Sequence, residues 1–260
     1  MRAIDVFQTR AGVFLSLTFY VLVCLEVGWS VYAKKKNYHW KDSAANLGIF
    51  AGLRVAEAAF LLLELQGLLF LYQKTPWRIP NKPLLLPVIF ILTDFVYYWK
   101  HRLMHTFRPL WAFHVVHHSS TFFNFTTSFR LNWFQALVNF PFFIPLVLIG
   151  IDPFTLLFFY SLSAAYQFFP HTESVGRLGL LEYVFNTPSH HRVHHGKNPE
   201  YLNKNFGGVF IIWDKLFGTF APEKKPPAYG ITADLKSNNP IYLVFHGFSD
   251  LIRGRLHYRG

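Results

Sequence analysis

Cysteine is almost absent from this sequence, since Cys24 is the single one among 260 residues. One cysteine excludes a disulfide framework, and it also excludes a metal cluster held by several thiolates. Any metal ion that the chain binds must therefore be held by nitrogen or oxygen ligands.

Charged residues are scarce as well, at 15% of the chain, whereas 52% of the residues are hydrophobic and 19% are aromatic. This apolar content exceeds what a soluble domain of the same length needs, so the composition predicts a membrane protein. Acidic residues number 14 against 25 Lys and Arg, which gives a formal net charge of +11. Such an excess suits nucleic acid or an anionic membrane surface, and the apolar runs favour the membrane.

Five apolar segments are predicted to cross the bilayer. They are residues 11–33, residues 45–73, a third segment from about Leu84, residues 132–150 and residues 154–170. The last two form a hairpin around "GIDP", a turn without Lys or Arg that should face away from the cytoplasm. Counting back from this turn puts every histidine motif on the cytoplasmic side. The alternative that the first or the second segment does not cross the membrane stays open, because Lys74, Arg78 and Lys82 would lie on the outer face.

Histidine is abundant, with 13 residues, and most of them occur in four short motifs. The motifs are "HRLMH" with His101 and His105, "HVVHH" with His114, His117 and His118, "HTE" with His171, and "HRVHH" with His191, His194 and His195. On a helix the i, i+3, i+4 spacing places three rings on one face. A given triplet of this kind is expected by chance on the order of 0.03 times in the chain, so solvated or core histidines do not explain two copies. The remaining four, His39, His190, His246 and His257, are left outside the site.

Metal binding explains the crowding, because neutral imidazoles are attracted to a shared cation, whereas protonated ones repel each other. Nine imidazoles exceed the four ligands of a structural zinc ion, so the sequence predicts two metal ions. Imidazole suits iron, zinc and copper alike. A site where helices leave the membrane suits oxidation of an alkyl chain, and that reaction needs a redox metal and dioxygen. The predicted fold class is therefore an all-α integral membrane protein, with about five transmembrane helices and a cytosolic cap that carries a histidine-rich dinuclear metal site.

The motifs "HRLMH", "HVVHH" and "HRVHH" match the histidine signature of the fatty acid hydroxylase (sterol desaturase) superfamily, which the sequence resembles over residues 94–220. The segments "QFFPHTE", "NTPSHHRVHHG" and "NKNFGGVFIIWDKLFGTF" are most similar to its alkylglycerol monooxygenase branch. The resemblance implies a di-iron monooxygenase that uses dioxygen to hydroxylate a lipid alkyl chain near its head group, and in that branch cleaves alkylglycerol ether lipids. It also implies two iron ions, for which zinc can substitute in purified protein, and an external reductant, either tetrahydrobiopterin or an electron-transfer protein.

Five further residues are candidates for supporting roles at this site. Asp94, Asn124 and Glu173 are the candidate catalytic residues, as groups that hold the imidazoles in their metal-binding tautomer. Glu173 could equally cap a helix. Arg130 and Lys197 are predicted to hold an anionic head group of the substrate by charge-assisted hydrogen bonds.

The expected organisation has three parts. Residues 1–75 form N-terminal membrane spans, residues 76–225 form a catalytic domain of the fatty acid hydroxylase type, and residues 226–260 form an amphipathic segment. The expected location is the bacterial inner membrane or the endoplasmic reticulum, with the metal site facing the cytoplasm. The expected partners are a membrane lipid and an electron donor. Nucleic acid is not expected, because the basic residues flank span ends and form no single stripe.

Three alternative functions stay open. A sterol or fatty acyl desaturase, or a methyl oxidase, would use the same site to remove a second hydrogen. A zinc-dependent membrane hydrolase would use metal-activated water, but it needs fewer ligands and normally a carboxylate base. A structural, ion-storing or nucleic-acid-binding protein is the third alternative.

Overall fold

The computed structural model describes residues 10–232 and 235–256, with side chains from residue 17 onward. This part of the chain is helical and contains no β-strand, apart from one isolated bridge between Phe185 and Phe210. The predicted all-α class is therefore confirmed for the described residues. The α-helices are α1 Arg10–Tyr32, α2 Trp40–Lys74, α3 Leu86–Thr106, α4 Arg108–His118, α5 Gln135–Leu148, α6 Pro153–Phe168, α7 Pro188–His195, α8 Ile212–Leu216 and α9 Pro240–Ile252. Short 3-10 helices cover Phe125–Phe129, Gly179–Tyr183 and Pro199–Tyr201.

Proline marks the first turn of α3, α4, α6, α7 and α9. Its fixed φ and its missing N–H are compatible with this position, where the backbone N–H has no partner within the helix. Side chains complete two of these caps, because Asp152 accepts a hydrogen bond from the Thr155 N–H and Asn239 accepts one from the Ile241 N–H.

Among the described residues, one helix is long and apolar enough to cross a membrane by length and composition, namely α2 Trp40–Lys74. Three shorter apolar helical segments are Leu17–Tyr32, Gln135–Leu148 and Pro240–Ile252. The five predicted crossings are thus not confirmed by the helix lengths. The outer surface is nevertheless apolar, since Leu25 is 64% exposed and Val55 is 77% exposed. Large exposed apolar surfaces of this kind are typical of proteins in contact with lipid.

Helices α2, α3, α5 and α6 pack around one apolar core, which includes Leu68, Ile89, Phe143 and Leu156. A second cluster joins α2, α4 and α9 through Ile49, Val116 and Leu243. Helix α9 lies within residues 226–260, the predicted C-terminal amphipathic segment, and it packs close against α4. A Cβ atom at Gly247 would come within 2.6 Å of the Ala112 carbonyl oxygen, so the absence of a side chain there permits the approach. His257 lies outside the described residues.

Candidate metal centre

Nine buried histidines converge where α3, α4, α6 and α7 meet. They form two groups, and in each group the candidate ligand atoms lie within 4.8 Å of one another. The first histidine group is His101, His105, His114, His118 and His194. The second histidine group is His117, His171, His191 and His195. The structure thus brings together all nine histidines that the sequence motifs singled out, and the number of groups equals the predicted number of ions.

Helices α4 and α7 contribute to both groups because each carries an i, i+3, i+4 triplet. In α4, His114 and His118 face the first group and His117 faces the second. In α7, His194 faces the first group, whereas His191 and His195 face the second. The two groups are consequently neighbours, and the His118 and His195 rings stack with centroids 4.3 Å apart.

Backbone carbonyl oxygens orient four of the rings. The Nδ1 atom of His101 lies 2.8 Å from the Phe206 oxygen, and that of His171 lies 2.7 Å from the Gln167 oxygen. The corresponding distances are 3.0 Å from His194 to the Lys204 oxygen and 3.3 Å from His117 to the Arg130 oxygen. A carbonyl oxygen only accepts hydrogen bonds, so Nδ1 carries the proton in each ring. In the neutral imidazole, each Nε2 atom is then left with a bare lone pair, which is the form that binds metal.

The closest contacts between rings fit a shared cation. His117 Nε2 and His171 Nε2 lie 3.2 Å apart, although both rings are protonated at Nδ1, so two lone pairs face each other with no proton between them. Two imidazole nitrogens at about 2.0–2.1 Å from one ion, at tetrahedral or octahedral angles, would lie about 2.9–3.4 Å apart. The same spacing recurs at 3.0 Å between His101 and His114, 3.1 Å between His114 and His118, and 3.0 Å between His171 and His191. The residues present therefore fit a metal ion in each group.

Burial keeps three rings of the second group neutral. Burial lowers the pKa of His171 to about 4. Burial, together with neighbouring histidines, also lowers the pKa of His191 and of His195 well below the ordinary value. These rings are deprotonated at neutral pH and need not lose a proton before they bind a cation.

Asp94 has different partners from those predicted. Its carboxylate accepts hydrogen bonds from the Val209 N–H at 2.8 Å, the Phe210 N–H at 3.2 Å and the Trp213 indole at 2.9 Å. Among the described residues, no imidazole is a hydrogen-bond partner of this carboxylate. Asp94 instead fixes the segment after α7, which supplies the carbonyl acceptor for His101.

Asn124 and Glu173 do not contact an imidazole among the described residues. Asn124 caps the 3-10 helix Phe125–Phe129 and donates to the Asn37 carbonyl oxygen at 2.6 Å. Glu173 accepts a hydrogen bond from the Tyr229 hydroxyl at 3.0 Å. The structure therefore gives both residues a role in holding loops, and their predicted contact with the histidines is absent.

The two predicted head-group ligands differ in their surroundings. The Arg130 guanidinium is buried and donates to Asp42 at 2.8 Å, to Asn46 at 3.0 Å and to the Ser119 hydroxyl at 3.1 Å. Its Nε and Nη1 donors are thus used inside the protein, and the head-group role of Arg130 stays a prediction. Lys197 is half-buried just beyond α7, and its backbone N–H donates to the Ala228 carbonyl oxygen at 2.6 Å.

Two supporting carboxylates near the site are not among the predicted site residues. Glu26 is buried and accepts hydrogen bonds from the Tyr38 hydroxyl at 2.5 Å, from the Phe125 N–H at 2.9 Å and from the hydroxyl of Thr172, the neighbour of His171. Its signal in the sequence was its position as the only charge in the first apolar segment. Asp214 accepts from the Phe206 N–H at 2.8 Å and so holds the carbonyl that orients His101, but no spacing in the sequence indicated this contact.

Comparison with known proteins places this site in a family context. The fatty acid hydroxylase family model matches residues 86–219, slightly more than half of the chain and all nine histidines. Alkylglycerol monooxygenase of Homo sapiens is 36% identical over 93% of this chain and 54% of its own length, and that of Caenorhabditis elegans is 43% identical over 68% and 36%. Ornithine lipid hydroxylase OlsE of Rhizobium tropici is 32% identical over 54% of this chain and 43% of its own length. The chain spans about half the length of the curated relatives it matches. No solved structure matches it significantly.

Proposed function

Since this chain belongs to the fatty acid hydroxylase family, as its histidine motifs predicted, we propose that it is a membrane di-iron monooxygenase that hydroxylates a lipid alkyl chain with dioxygen. The family and the relatives named as monooxygenases and hydroxylases make it an oxidoreductase that acts on lipids. The dinuclear iron site, the use of dioxygen and the identity of the lipid are the further steps of the proposal.

The observation that carries the proposal is the contact between His117 Nε2 and His171 Nε2 at 3.2 Å. Both rings donate Nδ1–H to backbone carbonyls, so a cation is the group that makes this contact favourable. The first histidine group shows the same spacing, which supports a second ion beside the first.

Bound iron would supply the redox chemistry with dioxygen that an unactivated C–H bond requires. The nine imidazoles would hold the two ions, and zinc could occupy the same imidazoles in purified protein. The carbonyl oxygens of Phe206, Gln167, Lys204 and Arg130 keep four rings in the ligand tautomer. The Phe123 ring, 5.6 Å from that of His171 and 5.0 Å from that of His195, helps to keep water out of the second group.

The proposed topology retains five crossings, made by α1, α2, α3, α5 and α6. The position of all nine histidines at one end of the helices supports a cap on that side, formed by α4, α7 and the segments around them. In domain terms, residues 1–75 are N-terminal spans, residues 76–225 are the catalytic domain and residues 226–260 are the amphipathic segment. We place the metal centre on the cytoplasmic face of the bacterial inner membrane or the endoplasmic reticulum.

The proposed substrate is an ether lipid that is oxidised at a carbon close to its head group. Support comes from the relatives, several of which are named alkylglycerol monooxygenase. Lys197, just beyond α7, is the proposed ligand for an anionic part of the head group. An external reductant, tetrahydrobiopterin or an electron-transfer protein, would supply the electrons that balance the second oxygen atom.

Labelled dioxygen tests this function directly. Reconstituted, iron-loaded protein is incubated with a reductant, labelled dioxygen and one of three lipids: an alkylglycerol, a free sterol or an acyl lipid. We expect label in a fatty aldehyde released from the alkylglycerol, read before it exchanges with water. Label confined to sterol or acyl products would move the chain to another activity of the family. Desaturation without incorporated label would favour a desaturase, and the absence of dioxygen consumption with every lipid would refute the monooxygenase.

A further inference from the structure

A polar cluster lies inside the otherwise apolar four-helix core. Helices α2, α3, α5 and α6 each contribute one member, and the members are Glu64, Lys100, Asn139 and Tyr160. Glu64 is 4% exposed and Lys100 is 2% exposed, so both charged groups are withdrawn from solvent. Buried charges of this kind are costly in a membrane-embedded bundle and usually mark a functional site.

Hydrogen bonds within the cluster satisfy the Asn139 side-chain oxygen and the Tyr160 hydroxyl, which belong to two of its four members. Lys100 Nζ donates to Asn139 Oδ1 at 2.8 Å and to the Tyr160 hydroxyl at 2.9 Å. The Tyr160 hydroxyl in turn donates to Asn139 Oδ1 at 3.1 Å, and Gln135 donates to the same oxygen at 3.3 Å. Asn139 Oδ1 thus accepts three hydrogen bonds, and the Tyr160 hydroxyl both donates and accepts.

The remaining hydrogen-bonding capacity lies on the two charged side chains. Within the described part of the chain, buried Glu64 Oε1 has no hydrogen-bond donor. An ammonium group has three N–H donors, and two of those on Lys100 are used by Asn139 and Tyr160. One acceptor on Glu64 and one donor on Lys100 are therefore left for a further group. A hydroxyl group, which donates once and accepts, matches both requirements.

The cluster lies next to the metal centre. Lys100 directly precedes His101 in α3, and the Tyr97 ring lies near both side chains. The centroid of this ring is 4.8 Å from Lys100 Nζ and 5.3 Å from the centroid of the His101 imidazole. A group bound at the cluster would be one aromatic ring away from the first histidine group, on its membrane side.

We propose that Glu64 and Lys100 bind a hydroxyl group of the lipid substrate, with the hydroxyl donating to Glu64 Oε1 and accepting from Lys100 Nζ. This contact would fix which alkyl carbon is presented to the metal centre, so the substrate class is a lipid with a free hydroxyl a few bonds from the oxidised carbon. The aliphatic remainder would leave sideways between the helices into the bilayer. The inference rests on the proposed function, because it takes a lipid as the substrate of this metal centre.

Binding measurements without turnover test the hydroxyl site. Metal-loaded protein in lipid nanodiscs under argon is titrated with hexadecylglycerol and with cholesterol, each compared with its O-methyl derivative. In the wild-type protein we expect at least one hydroxyl lipid to bind about 10- to 100-fold more tightly than its O-methyl form, the effect of hydrogen bonds to charged groups. Equal affinity for the two forms of both lipids overturns the proposal, and this comparison needs no variant.

The charge-balanced double variant Glu64→Gln with Lys100→Met tests the residues themselves. Removing one charge alone would leave the other buried without compensation and would destabilise the bundle. We expect the double variant to bind both forms of the lipid with the affinity that the wild-type protein shows for the O-methyl form. The matched control is Arg54→Met with Glu57→Gln, which removes an ion pair from the more exposed side of the same helix and should keep the discrimination.

Discrimination that survives in the Glu64 and Lys100 double variant assigns the hydroxyl to other residues and contradicts the proposal. The labelled-dioxygen experiment is independent of this result, so the two failures are distinguishable. Label in a product without hydroxyl discrimination refutes only the hydroxyl site, whereas discrimination without dioxygen consumption refutes only the monooxygenase.

Discussion

At the scale of single residues, the metal centre depends on backbone carbonyl oxygens for the orientation of its imidazoles. The i, i+3, i+4 spacing was sufficient to predict which histidines share a helix face. The acceptors could not be predicted, because the positions of the Phe206 and Lys204 oxygens follow from the path of a loop and not from a residue type. Asp94 shows the same limit of prediction from sequence. It lies on the same face of α3 as His101, which predicted a contact with a ligand imidazole. Both its oxygens instead accept hydrogen bonds from the segment after α7.

Asp94→Asn is expected to destabilise the fold more than it weakens metal binding. The amide nitrogen of Asn would face an N–H donor, so we expect a loss of about 1.5–3 kcal/mol in the free energy of unfolding. Chemical denaturation in detergent measures this loss. Trp213→Phe is the matched control, because it removes one of the three donors and should cost about 1 kcal/mol. A 10- to 100-fold drop in metal affinity with unchanged stability would instead indicate a direct hydrogen bond to a ligand imidazole.

At the scale of helices, apolar patterning predicted which elements exist better than it predicted their lengths. The segments 132–150 and 154–170 appear as the shorter helices α5 and α6. Asn132 and Trp133 precede α5, where Trp133 donates its indole N–H to the Ile49 carbonyl oxygen. Hydropathy counts such residues as part of a span, because it does not register whether the backbone around them is helical.

Arg130 tests the connection between helix α2 and the metal centre. Its side chain pairs with Asp42 of α2, and its carbonyl oxygen accepts from His117. Arg130→Met leaves the Asp42 carboxylate buried and unpaired, so we expect a destabilisation of about 3–5 kcal/mol. The double variant Arg130→Met with Asp42→Asn should recover most of this loss in a double-mutant cycle. Unchanged stability together with weaker binding of an anionic lipid would support the head-group role of Arg130.

At the scale of the whole molecule, the histidines and the "GIDP" turn define two opposite ends. The loop that carries Arg78 and Lys82 lies beside this turn, as the hydrogen bond of 2.8 Å between the Ile79 N–H and the Gly150 carbonyl oxygen shows. The sequence predicts that both segments lie on the outer side of the membrane. The positive-inside rule, however, favours the cytoplasmic side for a loop that carries basic residues. The proposed orientation therefore makes a direct prediction for labelling from each side of the membrane.

Cysteine labelling in bacterial cells that produce the protein in their inner membrane measures the orientation. In a Cys24→Ala background, we expect Lys224→Cys, next to the metal centre's cap, to react only after the membrane is made permeable. Lys82→Cys, near the "GIDP" turn, should react with an impermeant reagent from outside. Both positions are exposed in the structure, so access does not limit the reaction. Labelling of both cysteines from one side would refute the membrane-spanning arrangement, and a reversed pattern would invert its orientation.

The central claim is that two neighbouring groups of histidines each hold a metal ion. Elemental analysis of protein loaded with iron under anaerobic conditions tests it most directly, with His190→Ala as control because the His190 Nδ1 atom lies 3.2 Å from the Phe185 carbonyl oxygen, away from both groups. We predict two metal ions per chain in the wild-type protein and in His190→Ala, and a loss of about one ion in His191→Ala from the four-histidine group. One metal ion or fewer in the wild-type protein at saturating iron, or an unchanged metal content in His191→Ala, would contradict the account.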